Sequence, residues 1–181
     1  MKKIAVALLA LVCVVGLFGC TKEENPDTAR SVPTDFQSKA NIQYGDMQLT
    51  ALVTRTQEGE TTVAFQSPES LSDLTLTFQG EDVRLSYKGL SMSLASDSFP
   101  ARSIGKVMQD AINKALEPQG CTVSLENGVL EFQGHTDSYE FTLRLDAQNG
   151  NLLSLSVPGE NLEISFENFQ LVPQFSQENP Q

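Results

Sequence analysis

The stretch Leu74-Thr-Leu76-Thr-Phe78-Gln-Gly80-Glu-Asp-Val83-Arg-Leu85-Ser-Tyr87-Lys-Gly89-Leu90-Ser-Met92-Ser-Leu94 alternates apolar and polar residues. Side chains two apart share a strand face, so Leu74, Leu76 and Phe78 lie opposite Thr75, Thr77 and Gln79. Gly80-Glu-Asp and Lys88-Gly89 interrupt the alternation as turns. The stretch therefore reads as successive antiparallel strands with one wet face and one apolar face.

The pattern continues in both directions. Upstream, Met47, Leu49, Ala51 and Val53 alternate with polar partners, and Val63 and Phe65 follow the turn at Glu58-Gly59. Downstream, Cys121, Val123 and Leu125 lead into Asn127-Gly128, a dipeptide favoured in two-residue hairpins. Leu130 and Phe132 return from it; Tyr139, Phe141, Leu143 and Leu145 run to a turn around Asn149-Gly150. Leu153, Leu155 and Val157 come back, and Pro158-Gly159 turns the chain into Leu162, Ile164 and Phe166. Roughly ten short strands joined by tight turns make a mostly antiparallel sheet.

One segment changes period. Between Ala101 and Glu117, Ile104, Val107, Met108, Ala111, Ile112, Ala115 and Leu116 recur at spacings of three and four, the apolar stripe of an amphipathic helix. Pro100 stands near its start, and Pro118 with Gly120 ends it. The stripe packs on the sheet as core, or it is a lid over an apolar cavity. A helix of about 25 Å does not cover ten strands, so the sheet curls or leaves apolar surface for a guest. The expected fold is mainly β (α+β): one strongly curved antiparallel sheet, or half-open barrel, with a single helix on its apolar face. The candidate ligand-contacting residues are Ile104, Val107, Met108, Ala111 and Ile112 on the helix, and Leu76, Phe78, Leu85 and Tyr87 on the inner sheet face.

The N-terminus is of another kind. Lys2 and Lys3 precede an apolar run from Ile4 to Phe18, and Gly19-Cys20 follows. A charged start, a short apolar middle and a small residue before the break form an export signal, and the run falls short of the about 20 residues a spanning helix needs. Leu17-Phe18-Gly19-Cys20 resembles a bacterial lipobox, which implies a diacylglyceryl group on Cys20 and a membrane-anchored protein on the extracytoplasmic side. Residues 1–19 are then signal and 20–35 a polar, proline-containing tether read as disordered. Residues 36–172 form one β domain, and 173–181 a loose tail.

The chain carries 12 Lys+Arg against 23 Asp+Glu, a formal charge of −11, and loss of the two signal lysines takes it to −13. That balance argues against nucleic acid and against electrostatic docking on anionic headgroups. Of the three cysteines, Cys13 leaves with the signal and Cys20 is lipidated, so Cys121 has no intramolecular partner and reads as a small apolar strand residue. Enzyme motifs are missing: there is no Gly-x-Ser-x-Gly, His-Glu-x-x-His or Cys-x-x-Cys, and His135 is the single histidine. The acid pairs Glu58 with Glu60, Glu81 with Asp82 and Glu160 with Glu163 suit a glycosidase only if they face each other across a cleft. They read better as solvated turn charges. Asp146-Ala-Gln-Asn149-Gly150 lacks the full ligand series of a calcium loop and reads as a turn. No catalytic residue, metal ligand or cofactor is expected.

The strand series around Phe65-Gln-Ser-Pro68-Glu-Ser-Leu71, Leu74 to Gly80 and Val83 to Leu90, the helix after it, and the closing set from Asn149-Gly150 to Leu162-Glu-Ile-Ser-Phe166-Glu-Asn168-Phe169 together resemble the LolA-like fold. That is the fold of outer-membrane lipoprotein-sorting carriers and their lipid-anchored relatives. The resemblance covers about residues 40–170. It implies a half-open curved sheet plugged by helical structure, carrying acyl chains or lipids or serving as a binding partner of other envelope proteins. Two departures stand out: residues 21–41 supply no amphipathic opening helix, and a lipidated chain is not a diffusing shuttle. No site residue carries over from the family. The expected function is non-enzymatic binding of a lipid or acyl chain in the curved sheet by an anchored lipoprotein. The alternative is a structural or regulatory lipoprotein that docks on another envelope protein and takes no small ligand.

Overall fold

The computed structural model describes residues 32–172. Cys20, the signal and most of the tether lie outside these residues, as does the tail 173–181. Eleven strands make one antiparallel sheet. They are β1 (Phe36–Tyr44), β2 (Met47–Arg55), β3 (Thr61–Ser67), β4 (Thr75–Gln79), β5 (Asp82–Tyr87), β6 (Leu90–Ala95), β7 (Thr122–Glu126), β8 (Val129–His135), β9 (Glu140–Asp146), β10 (Leu152–Val157) and β11 (Leu162–Leu171). Among the described residues a single α-helix, α1 (Ile104–Leu116), separates β6 from β7.

The strand that sequence reading did not assign is β1. Its inward positions are Phe36, Ser38, Ala40 and Ile42, all buried, and the two small residues in the middle weaken the apolar alternation. The order across the sheet is β6-β5-β4-β3-β2-β1-β11-β10-β9-β8-β7, so the first and last strands pair at the centre and two hairpin meanders run outward from them. Turn chemistry enforces this where it is tightest: Asn127 and Gly128 both hold positive φ, 52° and 76°, between β7 and β8.

The sheet curls, and the helix shows why. α1 packs on β4 from one meander and on β8 and β9 from the other. In a flat sheet β4 and β9, six places apart in that order, would lie about 29 Å from each other at the usual strand spacing. A helix of 13 residues is about 20 Å long and half as wide, so it touches both only if the sheet wraps around it. The sheet does not close, since β6 and β7 remain edges. The half-open, mainly β architecture with one helix on the apolar face is the one expected.

Inside the curl the register lines up apolar rows. Val53 stands opposite Val63, Val63 opposite Leu76, and Leu76 opposite Leu85. On the other side Phe132 faces Leu143 and Leu143 faces Leu155. Gly105 sits so close to the sheet that a Cβ there would lie 2.9 Å from the Phe78 ring. Glycine at that position lets the helix descend onto β4.

Candidate functional site

The concave face is where this fold has apolar surface to offer, and α1 occupies its centre. Val107, Met108, Ala111 and Ile112 are fully buried, and Ile104 is half-buried at the helix start. Leu76 and Phe78 are buried beneath Gly105. Six of the nine expected ligand-contacting residues are therefore packed against one another as core.

Coverage ends toward β6. Val83 on β5 is buried, its strand neighbours Leu85 and Tyr87 are half-buried, and on β6 Met92 is 52 % and Leu90 77 % exposed. Register shows that these side chains share the helix-facing side: Leu85 pairs with Leu76 and Met92, and Tyr87 pairs with Leu90. The sheet thus leaves an apolar strip on its edge strand, beside backbone groups that no other described strand engages. Met47, on the same face at the start of β2, is 53 % exposed. The Tyr87 hydroxyl donates to the Ser70 carbonyl at 3.1 Å, which fixes the ring at the end of the strip.

Sequence reading picked out Leu85 and Tyr87 but not Leu90 and Met92 as site residues. The alternation placed all four on one face. What it does not contain is strand order, and it is β6's position at the edge that uncovers them.

Polar contacts hold the helix at its flanks. Arg55, 6 % exposed, donates from Nη1 to Thr61 Oγ1 at 2.7 Å and from Nη2 to Asn113 Oδ1 at 2.9 Å. Burial holds its pKa below the usual arginine range. On the other flank the Tyr139 hydroxyl donates to Asp110 Oδ2 at 3.1 Å, and Lys106 pairs with Asp110 at 2.6 Å. Burial, reinforced by the Asp110 charge and hydrogen bond, pushes the Tyr139 phenol well above its ordinary pKa. Arg102, just before the helix, bonds Glu160 at 2.6 Å and the Ser138 carbonyl at 2.9 Å.

The other residues singled out in the sequence fall as follows. Cys121 is half-buried just ahead of β7, and a Cβ on Gly134 would lie 2.9 Å from its sulfur. His135 is exposed at the end of β8. Glu160 is engaged by Arg102 while Glu163 accepts from Ser156 Oγ at 2.5 Å, so the two carboxylates do not act together. Asp146 closes its own turn by accepting from the Gln148 amide and the Asn149 side chain at 2.8 and 3.1 Å. Among the described residues no group of three or more His, Cys, Asp or Glu could hold a metal ion, and no helix is long and apolar enough to cross a membrane.

No protein-family model and no curated protein matches the chain. Solved structures do. A LolA superfamily protein from Nitrosomonas europaea is similar at 13 % identity over 82 % of this chain and 92 % of its own, with a TM-score of 0.47. The structure of the CwlD amidase from Clostridioides difficile in complex with the GerS lipoprotein gives 14 % identity, 77 % and 85 % coverage and a TM-score of 0.43. An outer membrane lipoprotein-sorting protein domain from Vibrio parahaemolyticus gives 11 % identity, 80 % and 87 % coverage and a TM-score of 0.42. The structural neighbours include LolA superfamily and lipoprotein-sorting proteins, the group that the order of strands and helix resembles.

Proposed function

We propose that this protein is a non-enzymatic binding module of the cell envelope, held at the membrane by a lipid on Cys20, whose apolar β5–β6 strip receives a hydrophobic segment of a partner protein. The observation that carries this reading is the pairing of a filled concavity with an uncovered edge. Met108 and Ile112 have no exposed surface, whereas Leu90 and Met92 on the edge strand are exposed. A small-molecule site encloses most of its ligand. An open apolar strip on a free strand edge instead suits strand addition, with the partner's backbone bonding β6 and its side chains lying on Leu85, Tyr87, Leu90 and Met92.

The acid pairs and His135 sit apart on turns and strand ends, which supports a binding role over a hydrolytic one. A second reading, an acyl chain taken up between helix and sheet, draws support from the polar bonds at the helix flanks. Hydrogen bonds from Arg55 and Tyr139 would part without tearing the sheet.

The test is a crosslinking pull-down from envelope fractions through the full lipidated chain. Capture of one stoichiometric partner by the natural protein, and its loss with Leu90→Asp/Met92→Asp, is the expected result. Capture that persists in the double variant would move the interface elsewhere, and a co-purified lipid seen by native mass spectrometry would favour the acyl-chain reading. Cys20→Ser should release the protein from membranes; retention would point to an uncleaved anchor.

A further inference from the structure

The face of the sheet turned away from α1 carries a groove of 590 Å3. Its floor is a single row in register across five strands: Ser154 opposite Ser165, Ser165 opposite Asn41, Asn41 opposite Thr50, and Thr50 opposite Ser67. Four strand-to-strand steps make that floor about 19 Å long. One rim is a parallel row in which Gln43 faces Gln48 on one side and Glu163 on the other.

Elsewhere on this face several polar side chains bond one another. Thr62 bonds Thr77 at 3.2 Å, Gln37 donates to Thr54 at 3.3 Å, and Arg144 bonds Glu131 at 2.7 Å. In the groove, Thr50 bonds Ser67 at 2.8 Å, but Asn41, Gln48, Ser154 and Ser165 have no side-chain hydrogen-bond partner among the described residues. The groove is thus a long channel of amides and hydroxyls with donors and acceptors to spare. Glu163 is its one acidic residue, and no lysine or arginine lines it. Phosphate, sulfate and carboxylate ligands find no counter-charge there, and apolar ligands find little apolar side-chain surface, because Ile42, Leu49 and Ile164, which also line the groove, are each at most 5 % exposed.

We propose that this groove binds an uncharged linear carbohydrate chain laid across the strands. Sugar hydroxyls both donate and accept, as do the Asn and Gln amides and the Ser and Thr hydroxyls, and the Glu163 carboxylate accepts from one or two more. No aromatic ring stands in the groove to stack on a sugar. Each unit is therefore held by hydrogen bonds alone, and affinity accumulates over several units of a polymer. The groove and the β5–β6 strip lie on opposite faces, so a glycan and a protein partner are held at the same time, and either assignment stands or falls without the other.

The experiment uses the full chain in detergent micelles, titrated calorimetrically with the hexamer and the monomer of N-acetylglucosamine as neutral probes. The hexamer should bind at least about tenfold more tightly than the monomer, and Asn41→Ala/Gln48→Ala should weaken it by about tenfold at unchanged Tm. Absence of hexamer binding, or equal binding by that variant, would overturn the proposal. If the double variant does not fold, Gln48→Ala at the exposed rim is judged by the same criterion. Tighter groove binding of an extended polar decapeptide than of the hexamer would overturn the carbohydrate assignment in favour of a peptide.

Discussion

Arg55 on β2 and Asn113 near the end of α1 are joined by a 2.9 Å hydrogen bond from Nη2 to Oδ1. The guanidinium is buried, its Nε has no partner, and its two acceptors, Asn113 and Thr61, are both neutral. A buried cation satisfied by neutral oxygens contributes little net stability, because the loss of its hydration offsets what the bonds return.

That balance makes the two partners unequal. Asn113→Ala leaves the charge buried with one acceptor and should cost about 1.5–3 kcal/mol. Arg55→Met removes the charge while keeping much of the side chain's bulk, and should cost less than Asn113→Ala. Urea unfolding of the two variants checks the order. A greater loss from Arg55→Met would mean that the bonds outweigh the burial of the charge.

Gly105 and Phe78 set a second test. Alanine is the better helix former by about 1 kcal/mol, so on propensity alone Gly105→Ala should stabilise α1. The new Cβ would stand 2.9 Å from two atoms of the Phe78 ring, which is itself buried and packed edge-on against Phe99 at 5.8 Å. Overpacking of a core contact typically costs about 1–3 kcal/mol, so the net effect should be destabilising. Thermal unfolding should show a lowered Tm that Phe78→Leu partly restores. A raised Tm would mean that the helix shifts freely on β4.

Alkaline stability reports on Tyr139. The folded state keeps this phenol protonated above its ordinary pKa of 10.0, whereas the unfolded chain ionises there. Above that pH the unfolded state binds fewer protons than the folded one, so stability falls as pH rises through and beyond about 10. Other tyrosines and lysines titrate in the same window, and the difference from Tyr139→Phe isolates this one. The variant should lose part of the alkaline slope of its unfolding free energy and keep its slope near neutrality. Identical slopes would place the phenol in water.

How much of this was legible follows from what each pattern encodes. Strict alternation in Leu74–Leu94 and 3–4 spacing in Ile104–Leu116 gave the strands and the helix, because each period maps directly onto one side of its element. β1 was missed because Ser38 and Ala40 occupy two of its buried positions and weaken the apolar alternation, and Ser38 is accommodated there by donating to the Glu167 carbonyl at 2.9 Å. The site was half legible for a different reason. Leu76 and Leu85 look alike in sequence, yet one lies under the helix and the other near the edge, a distinction that belongs to strand order and exists only once the sheet is assembled. The outer groove was illegible for the same reason: Ser154, Asn41 and Ser67 are distant in sequence and meet only through register.

Two methionines bring these distinctions to a single comparison. Met108 lies at the middle of α1 with no exposed surface, and Met92 lies on the edge strand 52 % exposed, both on the same side of the sheet. Met108→Asp buries a carboxylate without a partner in the core and should cost at least about 4 kcal/mol, enough to abolish a cooperative unfolding transition in a domain of ordinary stability. Met92→Asp adds a solvated charge at the strip and should change stability by no more than about 0.5 kcal/mol. If β6 is the docking strand, Met92→Asp should nevertheless lose the partner, so that a folded variant fails in pull-down. Near-natural stability of Met108→Asp would make α1 a loosely held lid over a space that admits a guest, and a strong loss from Met92→Asp would show that the strip is covered within the protein itself.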